Sequence, residues 1–352
     1  MPVKPIHIFQ FVTNPVCAYY RFNIPAKHLN RSSEFKVTAF SRFDAEIYNR
    51  ILSQADILII QRLPASQKLI KLINRLNHSG KLVIYDIDDD LFNLPPDSGY
   101  LKKAPVDYRE RLILAVKSCQ AVQCSTQRLA GVVSEFHPEI VVLENQLDEV
   151  GVFDSSNKKS PHSIVIGYAA GENHGSDWLY VKDAFNEAIK ALHQTNLSLE
   201  ICIIGDRDIF TAIEYRNKQF LPLLSRNDYK KALQHFDISL IPLEDNKFNR
   251  SKSDIKFLES AASRCAVLAS YAAYADTVVA GETGLIFKNP AEFAKLLKEL
   301  TGDRNLQTQL GNSAFNYVNQ NRLMALHIDK WKATYSDWIV RKDALIRNTP
   351  LK

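Results

Sequence analysis

Ala55–Asp86 reads ADILIIQRLPASQKLIKLINRLNHSGKLVIYD, and its parts obey different periods. Ile57-Leu58-Ile59-Ile60 is a short, continuous apolar run, which fits a strand buried on both faces. From Gln67 to Asn77 the apolar residues Leu69, Ile70, Leu72, Ile73 and Leu76 fall at helical spacing. Gly80 stops that helix, and Lys81–Asp86 is the next strand. Strand, helix and strand in one run imply parallel strands with helices on the faces of the sheet.

The alternation extends both ways. Upstream lie a strand at Ile6–Val12, the start of a helix at Tyr20–Leu29 and a strand at Lys36–Phe40. Downstream lie helices at Arg109–Cys119 and Thr126–Phe136, with strands at Ala121–Cys124 and Ile140–Leu143. Asp154–His162 is polar and aperiodic, and reads as a linker. The pattern then restarts with strands at Ile164–Tyr168, Leu199–Gly205, Ile238–Leu243 and Ala266–Ala269. Helices are expected at Trp178–Leu192, Tyr229–His235, Ile255–Ser263, Ala291–Leu300, Leu306–Asn321 and Met324–Val340. The fold class is therefore α/β, with one Rossmann-like domain over 1–153 and a second over 163–322. Trp331, Tyr335 and Trp338 share one helical face within 323–345, and that face is expected to pack on the first domain. Its alternative is the second domain's own core.

At 352 residues, 46% hydrophobic and 24% charged, the chain suits two folded domains and excludes disorder. No apolar run approaches the roughly 20 residues of a membrane span. The expected localisation is cytoplasmic, with the inner face of the membrane as a variant. The five cysteines are odd in number, scattered and without a Cys-x-x-Cys pair, which fits a reducing compartment and argues against a metal site. The net charge of +5 carries no basic stripe for nucleic acid, and fits either a mildly basic surface or attraction to anionic lipid or a pyrophosphate-bearing acceptor.

Ligands of open α/β sheets bind at the carboxyl ends of strands, so the residues just after each strand hold the candidates. Tyr85-Asp86-Ile87-Asp88-Asp89-Asp90 places four carboxylates in five positions, which repel unless water, cations or donors relieve them. A solvated loop, a loop serving the reaction and a metal site all fit. The metal reading has a sharp form, a magnesium phosphatase using Asp86 and Asp88, but the small residue and Thr expected beside such a pair are missing. Pro242–Glu259 is the second candidate. Basic and hydroxyl residues ahead of a helix N-terminus suit a pyrophosphate, and Lys256 and Glu259 share one helix face. They fit an exposed ion pair, or a lysine on phosphate with a carboxylate on ribose hydroxyls. Gly281-Glu282-Thr283-Gly284 reads as a tight turn before a short strand.

Together these pieces resemble the group 1 glycosyltransferases of the GT-B fold. The resemblance is carried by Asp237–Leu243, Lys256–Ala262, Ala269-Ser270, Gly281–Ile286 and the loop Ile166–His174. Tyr19-Tyr20-Arg21 with Pro25-Ala26, Tyr85–Asp90 and Leu143–Asp148 add a weaker likeness in the first half. It implies two facing Rossmann-like domains, a C-terminal helix returning to the first, and a hexosyltransferase-type enzyme of surface polysaccharide or glycoconjugate synthesis. The donor would be a nucleotide-diphosphosugar, the acceptor a glycan, lipid-linked or protein group, and the anomeric configuration would be retained. No metal or cofactor is required, since basic side chains and a helix N-terminus can neutralise the leaving diphosphate.

In the same resemblance Gly171, Asn249, Arg250, Lys252, Lys256 and Glu259 would hold the donor. Asp88, Asp89 and His174 would be catalytic, and Tyr20, Arg21 and Asp86 would face the acceptor. Two positions depart from the family. The first of its two common glutamates is Ser251 here, and its histidine–aspartate pair is replaced by Asp88-Asp89. A GT-B protein that binds sugar nucleotides without turnover is the third alternative.

Overall fold

The structure, a computed structural model, describes residues 4–96, 98–150, 163–171, 174–192 and 197–350, the side chains of Tyr100 and Lys103 excepted. The expected linker Asp154–His162 lies outside these residues, as do Glu172 and Asn173. The chain divides into two units. The first comprises 1–148, 251–253 and 324–352, and the second 149–250 and 254–323.

The first unit holds one parallel sheet of β1 (Ile6–Phe11), β2 (Phe35–Phe40), β3 (Ile57–Gln61), β4 (Leu82–Ile87), β5 (Ala121–Cys124) and β6 (Ile140–Val142). Its order is β2-β1-β3-β4-β5-β6, so successive connections run in opposite directions on either side of the β1/β3 boundary. That boundary is the topological switch point. The continuous apolar run after Ala55 is explained by burial on both faces. Leu58 and Ile60 join one core cluster, while Ile57 and Ile59 join the other.

The second of these clusters receives the end of the chain. Trp331, Tyr335 and Trp338, on the helix Met324–Val340, are at most 1% exposed and pack with Ile8, Phe22, Ile57, Leu82 and Ile84. Each such ring contributes about 1.5–3 kcal/mol on burial. The C-terminal helix thus returns to the first unit, and the aromatic face is core to that unit. Against the same side of the sheet runs a helical stretch from Pro15 to Leu29, interrupted by one π-helical turn at Tyr19–Asn23. Pro25 has no N–H to donate, and a wider turn directly before it accommodates that loss. The periodicity placed the start of this helix five residues late, because Asn14 caps it and Pro15 opens it.

The second unit repeats the plan. Its sheet runs β12-β11-β10-β7-β8-β9, all parallel, from β7 (Ser163–Ala170), β8 (Ser198–Gly205), β9 (Lys218–Leu221), β10 (Ile238–Ile241), β11 (Ala266–Ser270) and β12 (Leu285–Phe287). The switch point lies between β7 and β10. Gly205 ends β8 with φ +98°, and a Cβ there would stand 2.2 Å from the Ala170 carbonyl oxygen, so no other residue fits. Among the described residues no helix is long and apolar enough to cross a membrane.

Candidate active site

In the first unit, strand alternation puts Gln61, Asp86 and Gln123 side by side on β3, β4 and β5, on the face that the C-terminal helix covers. All three are fully buried. Arg21, on the π-helical turn, lies against them. Its Nε and Nη2 donate to Asp86 Oδ2 at 3.1 and 2.9 Å, and its Nη1 donates to the Leu143 carbonyl and to Asn145 Oδ1. Gln123 adds a donor to Asp86 at 2.7 Å, and the Tyr335 hydroxyl donates to Gln123 at 3.0 Å. Trp331 lies under the guanidinium, 5.6 Å from ring centroid to Cζ. Burial pushes the Asp86 carboxyl up, and Arg21 holds it partway back.

This arrangement corrects two expectations. Arg21 and Asp86 do not face an acceptor, because both are at 0% exposure and spend their charges on each other. Nor can Asp86 attack a phosphate as the phosphatase reading requires. Tyr20, half-buried, packs edge-on against Tyr19 with centroids 5.0 Å apart.

The next carboxylates answer to a second arginine. Arg62 follows β3 at a left-handed φ of +49°, a conformation non-glycine residues adopt at some cost. It donates to Asp88 Oδ1 at 2.5 Å and to Asp89 Oδ2 at 2.6 Å, and the pair holds its guanidinium cationic against the opposing effect of burial. Asp90 accepts from the Phe92 and Asn93 amides and so forms a turn. The acidic cluster is therefore resolved into separate roles. Asp88 is nearly buried, whereas the Asp89 side chain keeps 24% exposure. Cys17 lies close by, its thiol pushed up by burial and then by Asp88.

Ser251–Ser253 belongs with this unit. Thr126 donates to the Ser251 carbonyl, Asn145 to the Ser253 hydroxyl, and Lys252 Nζ stands 4.0 Å from Asp89. Lys252, expected on the donor, is thus the neighbour of Asp89. Ser251 itself is buried.

In the second unit the switch point collects the remaining candidates. His174 follows β7 and opens the helix Gly175–Leu192, whose first turn carries the buried Asp177. His174 Nδ1 lies 2.8 Å from Asp177 Oδ2. Asp177 Oδ1 accepts from the Glu244 amide at 3.0 Å and from Asn249 Nδ2 at 2.7 Å, in the loop after β10. Lys256, on the helix Ile255–Ala262, donates to the Ala169 carbonyl at 2.7 Å and stands 3.4 Å from His174 Nε2. Its ammonium lies 5.8 Å from the centroid of the Tyr168 ring. Glu259, one turn on, accepts from the Tyr229 hydroxyl at 3.3 Å. His174, Lys256 and Glu259 are half-buried, and Gly171 leaves open space where a side chain would stand.

The structure therefore brings His174 and Lys256 together. It moves Asn249 from donor contact to a buried tie, since its amide is occupied by Asp177 and the Glu244 carbonyl. Arg250 lies at the surface in a two-bond pair with Asp245, at 2.6 and 3.0 Å. Arg62 and Asp177 are the residues that sequence reasoning missed. A basic residue directly after a strand and an acid in a helix's first turn were the available signals, and both occur throughout α/β proteins. Among the described residues no group of three or more His, Cys, Asp or Glu side chains could hold a metal ion.

Residues 164–303 match the family model described as glycosyl transferases group 1. No curated protein matches the sequence. Among solved structures the chain is similar to HepE of Anabaena in complex with UDP and glucose, at 12% identity and TM-score 0.66, over 94% of this chain and 100% of that one. It is similar to the sucrose-phosphate synthase of Thermosynechococcus elongatus at 9% identity and TM-score 0.67, over 96% and 99%. A UDP-forming trehalose-phosphate synthase from Burkholderia xenovorans follows at 14% identity and TM-score 0.53, over 96% and 86%. These likenesses give the fold, which is GT-B.

Proposed function

We propose that this chain, a group 1 glycosyltransferase with the GT-B fold, moves a hexosyl group from a uridine-diphosphate sugar to a hydroxyl of a glycan or lipid-linked acceptor. A bond forms between the acceptor oxygen and the anomeric carbon. The bond from that carbon to the diphosphate breaks, and the hydroxyl proton leaves with the diphosphate. The observation that carries the reading is Lys256, held between the Ala169 carbonyl and His174 at the switch point of the second unit. A fixed ammonium there, beside a helix start, suits the charge that develops on a leaving diphosphate. Glu259, half-buried on the same helix face, suits the ribose hydroxyls. The UDP and glucose bound by HepE support the choice of donor.

Retention of configuration, independence of metal and a role in surface polysaccharide or glycoconjugate synthesis complete the proposal. The same holds for work in the cytoplasm at the inner face of the membrane, which the net charge of +5 supports. Asp89, the more exposed of the two expected catalytic aspartates, is the better placed to meet an acceptor, with Asp88 anchoring Arg62.

Calorimetry against UDP-, GDP- and ADP-sugars in EDTA tests the reading, followed by product analysis of the anomeric centre. UDP-sugar binding and transfer that survive chelation are expected. Turnover lost in EDTA and restored by magnesium would overturn the metal-independent mechanism, and binding of no nucleotide sugar would overturn the donor assignment.

A further inference from the structure

We infer that Asp177 is the positioning residue of the second unit's site, fixing His174 as a neutral imidazole protonated on Nδ1 with the Nε2 lone pair turned to Lys256. Three contacts carry this. The first is the 2.8 Å approach of His174 Nδ1 to Asp177 Oδ2. A carboxylate oxygen can only accept there, so the proton sits on Nδ1. The second is the 3.4 Å approach of Lys256 Nζ to His174 Nε2. An ammonium has protons to donate and no lone pair, so Nε2 must offer its own. A second proton on the ring would also place two cations in contact. The third is the pair of donors on Asp177 Oδ1, the Glu244 amide and Asn249 Nδ2. They satisfy the buried carboxylate and tie the helix Gly175–Leu192 to the loop after β10, so the imidazole is oriented from both sides of the switch point.

Asp177 thereby acts on the donor only through its neighbours. It holds the ring that helps aim Lys256, together with the Ala169 carbonyl. The consequence for turnover rests on the donor reading above, whereas the tautomer does not.

Long-range proton–nitrogen NMR on the ¹⁵N-labelled full chain reads the tautomer in the wild-type protein, a variant serving only to assign the signal. The His174 signal is identified by its loss in His174→Gln among the 9 histidines. A neutral ring with Nδ1 protonated is expected. An imidazolium, or a ring protonated on Nε2 alone, overturns the inference. Asp177→Asn is the second arm, because an amide can donate to Nδ1 and release the tautomer. It should lower kcat by about 10- to 100-fold, the size of loss seen when a carboxylate that orients a metal-ligating histidine is removed, with a smaller change in the KM for UDP-sugar. Wild-type kcat in a folded Asp177→Asn protein overturns the inference. If the wild-type chain transfers no sugar, the function fails while the tautomer measurement still decides the role of Asp177.

Discussion

Two clusters of charge stand after strands in this molecule, and they are built to opposite ends. In the first unit, Asp86 and Arg21 are sealed at 0% exposure, and Asp88 is almost sealed with Arg62. In the second, His174, Lys256 and Glu259 keep part of their surface, and only their supports Asp177 and Asn249 are buried. Both lie where an α/β fold offers ligand sites. The difference teaches that position along the strand nominates a residue, while burial and partners assign its role. Charges that neutralise each other inside the first unit hold the π-helical turn and the C-terminal helix to the sheet. The groups that stay half-exposed in the second are the ones on which the proposed donor site rests.

The largest expected effect breaks the sealed cluster. Arg21→Met leaves Asp86 buried without its cation, and should cost about 3–5 kcal/mol in urea unfolding. Arg21→Met with Asp86→Leu removes both charges and should recover most of that loss. A single variant as stable as the wild type would show that the pair is not the fastening described here. Lys256→Met tests the open cluster. It should lower kcat by about 10²–10³-fold, the cost of removing one fixed donor from developing negative charge, with the chain still folded. Unchanged kcat would return Lys256 to a structural role. Glu259→Ala comes next, weakening UDP affinity by about 1.5–3 kcal/mol, the value of a hydrogen bond to a charged group. Tyr229→Phe removes only the hydroxyl that Glu259 accepts, so a loss of the same size there would mean that orientation, rather than ribose contact, carries the effect.

Much of the fold was legible because most strands left a short apolar run and most helices their own period, whereas β9, with Lys218 and Gln219 among its four residues, left none. The runs at Ile57–Ile60 and Ile201–Ile204 needed only burial on both faces to be explained. The helix at Ala45–Gln54 was not read, although Ile47, Tyr48, Ile51 and Leu52 fall at helical spacing and pack on the core. The site was legible in part. Lys256 and Glu259 stand on one face of the expected helix, and His174 lies in the expected loop. The division of the acidic run was not legible, since it depends on Arg21 lying 65 positions and Arg62 lying 26 positions away in sequence. Gln61 and Gln123 reached 0% exposure for the same reason. Alternation gave them a face, but only the packed helix above them shows that the face is closed.

The smallest expected effect concerns Arg250, which sequence reasoning assigned to the donor. It lies at the surface, and both of its observed bonds go to Asp245 five residues earlier. Exposed pairs of this kind are screened by salt and must hold two long side chains still, so they contribute little to stability. Arg250→Ala should therefore leave the unfolding midpoint where it is. The informative measurement is UDP affinity at low and at high salt. If the donor site is confined to the half-buried lysine and its helix, affinity is unchanged at both. If the diphosphate instead draws Arg250 away from Asp245, the variant binds more weakly at low salt and the deficit shrinks as salt rises, because screening already weakens the wild-type contact. That second outcome would blur the comparison, since a charge already engaged at the surface would then exchange one partner for another. The first would confine donor recognition to groups that the fold has already half-buried and aimed.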